Sequence, residues 1–72
     1  MNSLKIESKT KEASLSYRTI AQSLIEGKRD YDLMDDVVVK MELFTIDHMM
    51  DVMEIRELSE TTFEIVVTHS SV

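Results

Sequence analysis

The sequence predicts an α+β fold, one amphipathic helix packed on a three-stranded antiparallel sheet that ends in a C-terminal β-hairpin. Three observations carry this reading. Ala13, Tyr17, Ile20, Ala21, Leu24 and Ile25 recur at helical spacing and share one stripe of a helix. Phe63, Ile65 and Val67 alternate with Thr62, Glu64, Val66 and Thr68, the period-two pattern of a half-buried strand. Val37, Val38 and Val39 put three β-branched residues in a row, which favours a strand.

Taken in order, residues 1–10 are polar with Leu4 and Ile6 on one parity, which suits a short edge strand and makes the sheet four-stranded if it pairs. The helix is expected over about residues 12–26. Ser8 or Thr10 caps its start, Glu12 suits the first turn, and Gly27, the only glycine, stands where a left-handed residue ends a helix. Lys28 to Asp36, KRDYDLMDD, is a charged link from which Tyr31, Leu33 or Met34 returns to the core.

On the strand reading, Val37, Val39, Met41 and Leu43 face one side, and Val38, Lys40, Glu42 and Phe44 the other. Met34, Val37, Val38, Met41 and Thr45 also fit helical spacing, so a helix is the rival. Residues 45–50 then connect to the hairpin, with Thr45 as a cap or turn residue. The hairpin spans Asp51–Thr68, with Ser59, Glu60 and Thr61 as its loop. Val52, Met53, Ile55 and Leu58 do not share one parity, which points to a bulge in the first arm or a late start of it.

Seventy-two residues make one small domain that buries only about 60% of its unfolded surface. Such domains are commonly reinforced by a disulfide, a metal or a partner subunit. With no cysteine, disulfides and thiolate metal sites are excluded and a reducing, cytoplasmic setting is expected. Self-association into a homodimer is the remaining reinforcement. There is no apolar run of spanning length and no apolar leader in MNSLKIESKTKE, so no membrane association is expected.

Net charge is −6, and it is unevenly placed. Residues 1–29 carry six cations against three acids, a balance of +3, whereas residues 30–72 carry Lys40 and Arg56 against eleven acids, a balance of −9. The acidic half, with its sheet region expected over about 36–68, repels nucleic acid and anionic lipid and attracts basic partners. In a sheet, side chains two residues apart lie about 6.8 Å apart and strands about 4.8 Å apart. Glu42, Glu54, Glu57, Glu60 and Glu64 therefore suggest a carboxylate array, extended by Asp30, Asp32, Asp35, Asp36, Asp47 and Asp51. Such an array imitates the phosphates of a duplex. In this profile the chain resembles small acidic inhibitors of phages and mobile elements that occupy the DNA-binding surface of a host protein. The plainer alternative is a solvated face whose acids pair with Lys40 and Arg56.

Catalysis has few candidates. One glycine cannot build a phosphate-binding loop, and neither a cysteine nucleophile nor a G-x-S-x-G elbow occurs. Asp47, His48 and Asp51 place ligand types on one turn but fall short of a three- or four-ligand metal site. No cofactor and no metal is expected. Tyr17–Leu24, YRTIAQSL, resembles the first helix of a helix-turn-helix, but the acids that follow it oppose phosphate. Met34, Met41, Met49, Met50 and Met53 cluster, as core filler or as an adaptable binding surface. The expected function is thus non-enzymatic binding of a basic protein by charge mimicry. The alternative is an interaction module using methionines or a strand edge, and a small DNA-binding regulator comes third.

Overall fold

The computed structural model describes residues 2–29 and 31–70. The order is β1 (Ser3–Glu7), α1 (Lys11–Ile25), α2 (Asp36–Asp47), β2 (Val52–Glu57) and β3 (Thr62–His69). The strands form an open antiparallel sheet in the order β1-β3-β2, giving the α+β fold. Two helices, rather than the one expected, cover one sheet face. Leu4 and Ile6 of β1 stand opposite Ile65 and Phe63 of β3, and Ile55 and Met53 of β2 oppose Ile65 and Val67. That inner face meets Ile20, Ala21 and Leu24 of α1 and Val38, Met41 and Phe44 of α2 in one core. α1 lies against β2 and β3, and α2 against β1.

α1 runs one residue earlier than expected at each end. Thr10 Oγ1 accepts the Ala13 N–H at 3.0 Å, which satisfies one of the helix's orphan donors. At the other end Gly27 adopts φ 77°, its N–H donates to Leu24 C=O at 3.0 Å, and Lys28 N–H donates to Ser23 C=O at 2.8 Å. This is a Schellman closure, whose left-handed residue costs glycine nothing.

The strand expected over Val37–Phe44 is instead the first part of α2. Asp35 Oδ1 accepts the Val38 N–H at 2.9 Å as N-cap, and Asp36 sits in the first turn beside the positive dipole end. Val38, Met41, Phe44 and Thr45 are buried, and their spacing is helical. Placing valine in a helix costs a fraction of a kcal/mol per residue, whereas each large side chain buried returns about 1.5–3 kcal/mol. Tertiary burial therefore decides the conformation. Thr45, expected to start a connection, lies inside α2 with its hydroxyl donating to Glu42 C=O at 3.0 Å. Val38 and Phe44, expected on an outer sheet face, are core residues.

The third strand of the sheet is accordingly the N-terminal one. The hairpin is as expected, but the register shift between Val52 and Met53, which pair with His69 and Val67, leaves the extra residue, Thr68, in β3 and not in the first arm. Of the link residues, Tyr31 packs against the core while Leu33 and Met34 stay exposed. No helix among the described residues is long and apolar enough to cross a membrane.

Candidate interaction surface

The expected carboxylate array is not assembled on one face. Glu54 and Glu64 project from the outer face of the sheet, opposite the helices, as the register of β2 and β3 requires. Glu64 stands between Lys5 of β1 and Arg56 of β2, with Arg56 Nη1 at 3.4 Å. Lys5, Glu64 and Arg56 thus form one row of alternating charge across the outer face. Glu57 lies on the helical side and accepts from Arg18 Nη1 at 2.6 Å. Glu42, on α2, accepts from Arg29 Nη1 at 2.6 Å and from the Tyr31 hydroxyl at 2.7 Å. Asp51 is bonded to His48 Nδ1 at 2.8 Å, and the His48 ring leans on Phe44 with centroids 4.6 Å apart.

Asp35 has a structural role. Besides capping α2 it accepts a short hydrogen bond from the Tyr17 hydroxyl of α1. That bond, and then the Val38 N–H, hold the Asp35 carboxyl below the ordinary carboxylate range. The same bond, followed by burial and the Asp35 charge, raises the Tyr17 phenol. Burial, and then the Glu42 hydrogen bond, raises the Tyr31 phenol. Both tyrosines stay protonated donors that tie the link and α1 to α2.

Of the other acids, Asp32, Asp36, Asp47, Glu54 and Glu60 have no ion pair among the described residues. They sit on the link, at both ends of α2, on the outer sheet face and at the hairpin tip. Asp30 lies outside the described residues. Among the described residues no group of three His, Asp or Glu is arranged to hold a metal ion.

A second feature was not read from the sequence. α2 is apolar on its buried side and also on its free side, where Val39, Leu43 and Ile46 are exposed, Leu43 by 59%. Met49 and Met50 follow in the turn after the helix, at 72% and 75% exposure. Val39, Leu43 and Ile46 are spaced by four and three residues, the interval of a helix-packing seam, and Met50 follows four residues on in the turn. Met49, Val52 and Met53 continue the apolar surface along a groove of about 410 Å³ bounded by Leu24, Gly27 and Thr45. The methionines thus divide: Met41 is fully buried, Met53 packs on the core, and Met34, Met49 and Met50 are exposed.

The signal for this surface is the rival spacing of Met34, Val37, Val38, Met41 and Thr45. Met34 falls outside α2 and is exposed, but with Val38, Met41 and Thr45 on the buried stripe, Val39, Leu43 and Ile46 fall on the opposite one. The helix-turn-helix resemblance falls on α1, and a second helix does follow it. α2 presents Asp36, Lys40 and Asp47, a net negative charge where a recognition helix needs cations. No protein-family model, no curated protein and no solved structure matches the chain.

Proposed function

We propose that the chain is a non-enzymatic interaction module that docks another protein chain through the free side of α2. The observation that carries this reading is the exposed line of Val39, Leu43, Ile46 and Met50. A monomer scatters single apolar residues over its surface, whereas a continuous apolar strip on one element marks a contact. Each of these side chains contributes up to about 1.5–3 kcal/mol when covered, and the flanking contacts must supply the rest of the association cost. Lipid is a poor occupant, because Asp36 and Asp47 border the strip and an anionic leaflet repels them. Charge mimicry draws little support from the structure. Glu42, Glu57, Glu64 and Asp51 each face a cationic or histidine partner, and the remaining acids point in several directions.

The test is a photo-crosslinking residue placed at Leu43, with a control at the exposed Ser16 of α1, illuminated in a lysate of the cells that make the protein after adjustment to a series of salt concentrations up to 1 M. The expected result is a protein adduct at position 43, absent from position 16, that persists in 1 M salt and is lost when Ile46→Asp is added. Equal labelling from both positions, or none at position 43, overturns the reading. An adduct whose yield collapses as salt rises overturns it in favour of the acidic surface.

A further inference from the structure

The charges beside the apolar strip identify its occupant. Resting on the reading of α2 as a docking surface, we propose that the occupant is a second copy of this chain, with the two α2 helices packed antiparallel about a two-fold axis.

The spacing of the strip favours such a pair. Antiparallel packing that overlaps the whole strip sets Leu43 against the partner's Ile46 and Ile46 against the partner's Leu43. Val39 then meets the partner's Met50, and Met50 the partner's Val39. Every apolar residue of the strip finds an apolar counterpart, and no other register uses all four. The helical part of the line, from residue 39 to residue 46, is about 10 Å long at 1.5 Å per residue, and Met50 extends it in the turn beyond the helix.

The polar borders are self-complementary in the same register. Lys40 and Asp47 lie two turns apart on one border and are both exposed. Lys40 is the only cation on α2, and neither residue has an ion pair among the described residues. In an antiparallel pair like borders face each other. Lys40 then stands beside the partner's Asp47, and Asp47 beside the partner's Lys40, within about 3 Å of level along the axis at 1.5 Å per residue. On the opposite border Met49 faces the partner's Glu42, whose carboxylate Arg29 and Tyr31 already hold within its own subunit. A parallel pair is disfavoured, because it brings Glu42 towards the partner's Asp47.

A standard interface takes about 800 Å² from each partner, roughly a sixth of the 4940 Å² this chain exposes. Met49, Val52 and the groove beside them extend the strip towards that area. An isologous contact of this kind closes on itself as a dimer and leaves nothing free to propagate.

The experiment uses the full chain, sedimentation equilibrium at 1–100 μM, and native mass spectrometry with one variant isotope-labelled. The wild type is expected at twice the 8.3 kDa chain mass. Leu43→Asp, exposed in the monomer and so compatible with folding, is expected to be monomeric with an unchanged circular dichroism spectrum. Lys40→Asp and Asp47→Lys each place two like-charge pairs in the homodimer and are expected to weaken it about tenfold. Mixed together, the two variants satisfy both pairs and are expected to form the heterodimer in preference to either homodimer. A wild type that stays monomeric at 100 μM overturns the proposal, as does a dimer indifferent to Leu43→Asp or a mixture without preference. The crosslink at position 43 separates this failure from that of the parent reading. An adduct to a different protein leaves α2 as a docking surface with another occupant, and no adduct removes both.

Discussion

The Tyr17–Asp35 hydrogen bond ties the N-cap of α2 to α1. Tyr17 lies near the middle of α1, Asp35 caps α2, and the bond between them closes the link that joins the helices. Asp35→Ala removes a cap worth about 1 kcal/mol and a hydrogen bond to a charged acceptor worth about 1.5 kcal/mol at this half-buried site. The expected loss is about 2.5 kcal/mol. Asp35→Asn keeps a capping oxygen and loses the charge, and Tyr17→Phe loses only the donor, so each costs about 1–1.5 kcal/mol. A 72-residue domain has about 4–11 kcal/mol in all, so Asp35→Ala lowers the melting temperature by about 10–20 °C. Urea unfolding at one fixed protein concentration measures these losses, and the Tyr17→Phe/Asp35→Ala double variant tests the coupling. Additivity within about 0.5 kcal/mol means the two side chains do not act together, and the assignment fails. pH offers a second check. The lowered Asp35 carboxyl stabilises the fold above its ordinary value of 3.8, and that contribution disappears as pH falls below it. The raised Tyr17 phenol stabilises below its ordinary value of 10.0 and the contribution is lost as pH rises past it. Tyr17→Phe should flatten the alkaline limb and soften the acid one.

Two further variants probe the layers on either side of the sheet. Ser14 is fully buried on α1, and its hydroxyl has no hydrogen-bond partner among the described residues, so Ser14→Ala should stabilise by about 0.5–1.5 kcal/mol in urea unfolding; a loss of stability would reveal a bond the hydroxyl makes. Glu64→Lys places three cations abreast with Lys5 and Arg56 and should cost about 1–2 kcal/mol, a deficit that shrinks in 1 M salt. A salt-independent deficit would trace the loss to packing instead.

The local elements were legible because their signals are local. The stripe from Ala13 to Ile25, the Gly27 stop and the alternation of Phe63, Ile65 and Val67 each lie within one element, and each places that element correctly. α2 was misread for the opposite reason. Over Val37–Phe44 a two-residue and a helical period both fit, and three valines tilt the choice towards a strand. What decides it is the slot between α1 and β1 that Val38, Met41 and Phe44 fill, and that slot exists only after the chain has folded. The acidic surface shows the same limit. Which residues carry charge is plain from the chain, but Arg18 meets Glu57 across 39 positions and Arg29 meets Glu42 across 13. A carboxylate that reads as free in one dimension is neutralised in three. Reading Val37–Phe44 as a strand hides the apolar strip as well, since Val39 and Leu43 then share a face with the buried Met41.

The contrast between the two helices bears most directly on function. Both lie in one layer, on one face of one sheet, and each has a side turned to solvent. On α1 that side carries Lys11, Glu12, Ser16, Thr19 and Gln22, with Leu15 as its one large apolar residue. On α2 it carries Val39, Leu43 and Ile46 in line, bordered by Asp36, Lys40 and Asp47. Folding demands no such difference, because α2 meets the core through Val38, Met41 and Phe44, with Val37 packed against them and Thr45 buried beside them, and polar residues at 39, 43 and 46 would serve the monomer equally. A chain this short, with no cysteine to staple it, has a narrow margin of stability. Covering the α2 strip with a second copy would add apolar burial where the fold leaves it exposed. In such a pair Lys40 and Asp47 would set the orientation in which the two copies meet.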